Sequence, residues 1–291
     1  MRWSDWKKLE IATPFSEESL KETLDGGQAF RWGYREAGQC WEGIWGRHWV
    51  QLRLRPDGEL EFRRPLGADG TDAAAISEYL LLDTDWASLT DQLPWRSDAA
   101  LKNAIVRFHG LRLLNQPFAE ALLCFLCSAT KQIPQIKVMC ANLANRIGDS
   151  LCEGGPHALP TWAQLSATSE ATLRSLGLGF RAKNIKNTAD LIAGSDGILE
   201  RIESLPYSEA KAELLAFPGV GSKIADCTLL FGARKYEAFP VDTWILKVLE
   251  NRYGLIGWHK DQLERFGRVH LGPYAGYAQQ FLFAYERSLR G

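Results

Sequence analysis

A lysine in "FPGVGSKIADC" (217–227) and an aspartate in "FPVDTW" (239–244) are the residues of this chain best placed to do chemistry. Lys223 follows a turn too tight to be anything but a glycine corner, at the start of the apolar run "SKIADCTLLFG". A cation there opposes the helix dipole, which disfavours the charged amine, and a lysine nucleophile must be neutral to attack. Asp242, 19 residues later and just behind Pro240, stands at a helix start. Aspartate is a favoured N-cap, and the same carboxylate can stabilise a developing positive charge. A misplaced surface lysine and a plain cap are the ordinary alternatives for the two residues.

Two helical patterns, "YSEAKAELLAF" and "SKIADCTLLFG", flank "PGVG" and predict a helix-hairpin-helix over about 207–232. Gly219, Val220 and Gly221 would let the backbone approach a partner closely. The free N–H groups that open the second helix form an anion site suited to a DNA phosphate. The ordinary alternative is a helical corner that uses glycine for steric reasons.

The rest of the chain must position these groups. Residues 1–95 hold eight of the eleven tryptophans, in short alternating segments ("QAFRWGY", "CWEGIW", "HWVQLRL", "ELEFRRP") broken by turn-like "REAGQ" and "RPDGE". That predicts an antiparallel meander, followed by a looser "LGADGTDAA". From residue 96 to 291 apolar residues recur every three or four positions, and glycines mark several helix ends. The expected fold class is α+β: an N-terminal antiparallel sheet domain (1–95), then a mainly helical domain (96–291) of eight or more helices.

Composition sets outer bounds. At 291 residues and 46% apolar the chain has ample core, and no apolar run is long enough to span a bilayer. The opening "MRWSDWKKLEIATPF" lacks an apolar signal region and reads as mature, intracellular sequence. A net charge of −1 argues mildly against nucleic acid as a whole-chain property, and local patches decide that question. "CFLC" (124–127) has zinc-like spacing, but it lies in an apolar helical stretch with no second pair. Its thiols are expected to be buried, with no metal ligand set and no compact four-cysteine cluster.

The lysine and aspartate segments resemble the helix-hairpin-helix DNA glycosylases, and within them the 8-oxoguanine DNA glycosylases. The similarity extends to "GGQAFRW" (26–32), "FHGLRLLNQ" (108–116), "FLCSATKQIPQI" (125–136), "LGLGFRAKNI" (176–185) and "AGYAQQFLFAYE" (275–286), in the family's order. The resemblance implies an enzyme, a DNA N-glycosylase with abasic-site lyase activity. A flipped base is displaced as Lys223 attacks C1′, a Schiff base forms, Asp242 stabilises the sugar cation, and β-elimination cuts the strand. It implies further that Gly27 offers a carbonyl to the N7 hydrogen of 8-oxoguanine, that Gln279 reads the Watson–Crick edge, and that Phe283 and Cys227 sandwich the ring. The partner is duplex DNA containing an oxidised purine, with no membrane and no cofactor, handled by a monomer. The expected location is the bacterial cytoplasm with the nucleoid, or the nucleus in a eukaryote.

Departures from the family pattern fall on the strand opposite the lesion. Thr130, Lys131 and Gln132 replace an asparagine run, Gln135 holds the place of an arginine reader, and Phe180 stands where tyrosine is usual. Arg181 is kept and is expected to reach the opposite cytosine. With one of two arginine readers gone, preference for cytosine should relax. Four other readings compete. Alkylbase glycosylases of the same fold generally lack the lysine, and adenine-mismatch or oxidised-pyrimidine enzymes usually carry a C-terminal iron–sulfur cluster. A non-catalytic hairpin module would not need Gly27, Lys223, Asp242 and Gln279 together. A lysine alone also fits an aldolase, but no barrel-like alternation is present.

Overall fold

The computed structural model describes residues 2–67 and 71–289. Five short strands, β1 (Lys7–Leu9), β2 (Trp32–Arg35), β3 (Cys40–Trp45), β4 (His48–Leu54) and β5 (Leu60–Arg63), form one antiparallel sheet in the order β1-β5-β4-β3-β2. The meander is therefore real from β2 to β5, and "CWEGIW" and "HWVQLRL" are strands β3 and β4. Register runs from Trp41↔Leu52 to the closing pair Trp45↔His48.

The tryptophans explain why so small a sheet is stable. Trp32, Trp41, Trp45, Val50, Leu52, Leu60 and Phe62 form its inner core. Trp45 stacks on Tyr79 with centroids 4.2 Å apart, and Trp32 Nε1 donates to the Tyr79 hydroxyl at 3.1 Å. Each large aromatic removes some 150–250 Å² from water and still needs its polar atom satisfied.

The N-terminal region carries helices beside the expected sheet, α1 (Glu17–Asp25), α2 (Ala73–Leu80) and α3 (Trp86–Asp91), so it does not consist of strands alone. α1 is written locally: Ser16 and Ser19 form a capping box, and Ser19, Leu20, Thr23 and Leu24 make its buried face. Nor is "QAFRWGY" a single strand, because only Trp32–Arg35 pairs. Its first half is held as a loop by the stretch before the helical core: Gln116 Nε2 donates to the Gln28 carbonyl (2.7 Å) and Gln28 Nε2 to the Arg112 carbonyl (2.8 Å). Of the segment expected to be looser, residues 68–70 lie outside the described residues, and Ala73 already begins α2.

The helical part continues with α4 (Ala99–Arg107), α5 (Phe118–Cys127), α6 (Ile133–Ile147), α7 (Trp162–Ala167), α8 (Glu170–Leu173) and α9 (Arg181–Ala193). It ends with α10 (Ile198–Ser204), α11 (Tyr207–Leu215), α12 (Ser222–Gly232), α13 (Thr243–Tyr253), α14 (Lys260–Leu271) and α15 (Ala275–Ser288). α12 is buried from Ile224 through Gly232 and packs along α5, where Phe231 stacks on Phe125. Each such apolar side chain contributes roughly 1.5–3 kcal/mol, which fixes the helix that carries Lys223. Cys124 and Cys127 are buried on α5 beside Cys140 of α6, as expected of core thiols.

The "GGQAFRW" segment straddles the two parts. Phe30 enters the helical core edge-on to Phe125, while Trp32 enters the sheet core. Arg31, between them, donates to the carbonyls of Cys140 (3.3 Å) and His157 (2.6 Å). Gly27 is thereby delivered to the seam between sheet and helices.

Candidate active site

α11 and α12 meet at Phe217–Gly221, with the boundaries expected of the helix-hairpin-helix. Gly219 has φ +80°, and a Cβ there would sit 2.6 Å from Asn184 of α9. Only glycine fits so close a left-handed corner. α9 also holds the turn through Thr188 Oγ1, which donates to the Pro218 carbonyl at 3.0 Å. Val220 is buried, anchoring the loop. Gly221 caps α12 without a side-chain hydrogen bond, so the first N–H groups of that helix are left for an anion.

Behind the hairpin lies a buried ionic network. Lys211 of α11 donates to Asp226 Oδ2 (2.9 Å) and Glu264 Oε2 (2.9 Å), Tyr207 donates to Asp226 Oδ1 (2.8 Å), and Ser222 donates to Glu264 Oε2 (2.8 Å). Asp226 is 0% exposed, and burial raises its pKa to about 6 despite the lysine. The network ties α11, α12 and α14 together directly beneath Lys223.

Lys223, Asp242, Gly27, Cys227, Gln279 and Phe283 line one cleft of about 540 Å³, a volume suited to a nucleobase and sugar. They come from four places in the chain: Gly27, α12, the start of α13 and α15. Lys223 Nζ donates to Ser128 Oγ at 3.0 Å, and Ser128 in turn donates to the Phe125 carbonyl. Asp242 is the N-cap of α13, with Oδ1 accepting from Trp244 N (3.0 Å) and Ile245 N (2.8 Å). Burial raises its pKa above the usual carboxylate range, opposed by these backbone donors and by the charges of Lys223 and Arg287. The Cys227 thiol is pushed up to about 12, chiefly by burial, so it offers a neutral, polarizable wall.

Gly27 has φ +107°, and a Cβ there would lie 2.9 Å from Ile133 Cδ1 and 3.8 Å from Phe283 Cε1. Backbone alone can occupy that edge of the cleft. Opposite, Gln279 Nε2 donates to the Pro240 carbonyl (3.1 Å), and its Oε1 accepts from Gln280 (2.6 Å). One N–H and one lone pair of the amide remain for a ligand.

Of the residues expected to face the opposite strand, Lys131 and Gln132 line the cleft, whereas Thr130, Gln135 and Phe180 do not. Thr130 is exposed at φ +55°, and Phe180 is 57% exposed beside the glycine-rich bend Gly177–Gly179. At the start of α6 the Gln135 Oε1 accepts from Gln132 N (3.2 Å), so one oxygen of its amide serves the helix cap. Arg181 is 3% exposed, and its guanidinium donates to the Ala129 and Leu178 carbonyls and to Thr130 Oγ1 (2.9 Å), so it holds the Thr130 loop.

Among the cleft-wall residues that sequence reasoning missed are Ser128, Trp244, Lys247 and Arg287. Arg287 carried a readable signal, since Gln279, Phe283 and Arg287 recur at four-residue spacing on one face of α15. The cleft thus carries four cations (Lys131, Lys223, Lys247, Arg287) against one carboxylate (Asp242), the local basic patch that the net charge concealed.

Residues 10–122 match the family model "8-oxoguanine DNA glycosylase, N-terminal domain", and residues 123–271 match "HhH-GPD superfamily base excision DNA repair protein". The chain belongs to the 8-oxoguanine DNA glycosylase family. It is 32% identical to the N-glycosylase/DNA lyase OGG1 of Arabidopsis thaliana, over 97% of this chain and 80% of that protein. It is 29% identical to the N-glycosylase/DNA lyase of Saccharomyces cerevisiae, over 97% and 86%. Among solved structures it superposes on the Clostridium acetobutylicum 8-oxoguanine glycosylase/lyase, crystallised with duplex DNA containing cytosine opposite 8-oxoguanine. The TM-score is 0.88, with 31% identity and full coverage of both chains. The 3-methyladenine DNA glycosylase of Archaeoglobus fulgidus shares the fold at 18% identity (TM-score 0.76). This 8-oxoguanine DNA glycosylase family member is thus an enzyme of the N-glycosylase/DNA lyase type. Among its described residues no helix is long and apolar enough to cross a membrane.

Proposed function

We propose that the protein excises 8-oxoguanine from duplex DNA and then cuts the abasic strand. In this reaction the flipped nucleotide enters the cleft with C1′ facing Lys223 Nζ. As the amine attacks, the N–C1′ bond forms, the C1′–N9 bond breaks, and the base leaves with the bonding electrons. Asp242 stabilises the positive charge that gathers on the sugar. Transfer of one proton from the resulting ammonium to O4′ as the C1′–O4′ bond breaks opens the sugar and leaves a protonated imine, whose acidified C2′ hydrogen permits β-elimination of the 3′ phosphate. The Gly27 carbonyl selects the lesion: 8-oxoguanine carries a hydrogen on N7, whereas guanine would present an acceptor to an acceptor. Cys227 and Phe283 hold the two faces of the purine, and Gln279 takes its Watson–Crick edge.

The observation that carries this reading is the convergence of Lys223 and Asp242 with Gly27, Cys227, Gln279 and Phe283 on one basic cleft. The Ser128 contact supports it further, because it draws the lysine inward across the Phe125 ring (5.2 Å) instead of into solvent. Chromatographic analysis of bases released from a duplex with one 8-oxoguanine, against the same duplex with guanine, tests it. Release of 8-oxoguanine alone is expected, and release of neither base would refute the substrate assignment.

A further inference from the structure

Gly27 can read a base only if its peptide is held still, and it lies in a loop that belongs to neither sheet nor helix. Its downstream neighbour is pinned, since the Gln28 carbonyl accepts from Gln116. Its upstream neighbour Gly26 is the C-cap of α1, a helix with no basic residue in its last turn to meet the carbonyls gathered there. Arg287, on the last turn of α15, supplies the missing cation from the far end of the chain. Its Nη1 donates to the Gly26 carbonyl (2.5 Å) and to Glu22 Oε1 (2.9 Å). The same guanidinium lies over the Phe283 ring, 5.3 Å from its centroid. One side chain therefore touches both the backbone next to the edge-reading Gly27 and the phenyl ring that would cover one face of the purine.

We propose that Arg287 is a specificity-determining positioning residue, which sets the Gly26–Gly27 backbone and the Phe283 ring at the spacing that accepts a purine bearing a hydrogen on N7. The assignment rests on the reading of Gly27 as the lesion-selecting carbonyl. Glu22 completes the device by holding the guanidinium from the α1 side, at a site where neither side chain is freely solvated (27% and 14% exposed). A charge-assisted pair in such a place is directional as well as attractive.

The test compares two reactions in Arg287→Ala, Arg287→Lys and Glu22→Gln under single turnover: excision from an 8-oxoguanine·C duplex, and borohydride trapping on a preformed abasic·C duplex. Arg287→Ala should slow excision about 10- to 100-fold, what loss of a charge-assisted hydrogen bond is worth, and should lower trapping far less, so that the ratio of excision to trapping falls at least about fivefold. Arg287→Lys, which keeps the charge but not the fork, should recover part of the loss. Glu22→Gln should show a smaller loss of excision in the same direction, with trapping intact. Trapping also reports folding and DNA binding, so a parallel fall in both reactions, or no fall in excision, overturns the assignment. A wild-type protein that is trapped on abasic DNA but inert on 8-oxoguanine overturns the substrate reading itself, and this inference with it.

Discussion

Replacing Lys211 with methionine tests the bracing beneath the catalytic hairpin. The substitution keeps the length of the side chain and removes the cation shared by Asp226 and Glu264. Asp226 is 0% exposed and the lysine side chain only 15%, so water cannot take the lysine's place cheaply. Breaking such a buried pair on one side costs about 3–5 kcal/mol. At about 2–4 °C per kcal/mol that lowers Tm by roughly 10 °C. The cost should depend on pH. The folded-state pKa of Asp226 is about 6, above its ordinary 3.8, so the folded chain binds this proton more tightly than the unfolded chain. Stability from this group is therefore greatest below the unfolded value and falls as pH rises through the folded one. Without Lys211 the folded pKa climbs further, so the variant's deficit should be small near pH 5 and complete near pH 8. Urea unfolding of both proteins at those two pH values measures it, and an equal deficit at both would refute the reasoning.

Three other outcomes follow from the geometry. Glu120 of α5 accepts from Gly46 N at 2.9 Å, and burial raises its pKa to about 7 from 4.5. Because the raised value penalises the ionised folded state, Glu120→Gln should stabilise the protein by up to about 3 kcal/mol at pH 8 and by less than about 1 kcal/mol near pH 5, by thermal or urea unfolding. Gly27→Ala places a methyl 2.9 Å from Ile133 at a left-handed backbone position, and should abolish 8-oxoguanine excision while abasic-site trapping persists. With Gln135 engaged in a helix cap and Arg181 turned inward, single-turnover excision opposite C, A, G and T should vary by less than about tenfold. A preference for C of several orders of magnitude would show that these residues rearrange on DNA.

What could be read in the sequence was what is determined locally. The hairpin is written by Pro218, Gly219 and Gly221, so α12 begins and ends where the pattern does. Asp242 announces its cap by type and by the proline before it, and the alternation in "CWEGIW" and "HWVQLRL" survives as strands β3 and β4. Resemblance brought Gly27, Gln279 and Phe283 to the cleft, which spacing alone could not do across some 250 residues. Hidden were the features that depend on distant partners. Arg181 looks like an exposed reader until Ala129 and Thr130 are seen to accept from it. The loop before β2 looks like a strand until Gln116 claims its backbone. Ser128 is an unremarkable residue at the end of a helix until Lys223 reaches it from 95 positions away.

The central claim is that Lys223 is the nucleophile, and borohydride trapping on a duplex with one 8-oxoguanine tests it most directly. The account predicts a covalent protein–DNA complex on a denaturing gel with the wild-type chain, and none with Lys223→Gln. Base release without any trapped complex, or a complex that persists in Lys223→Gln, would contradict it.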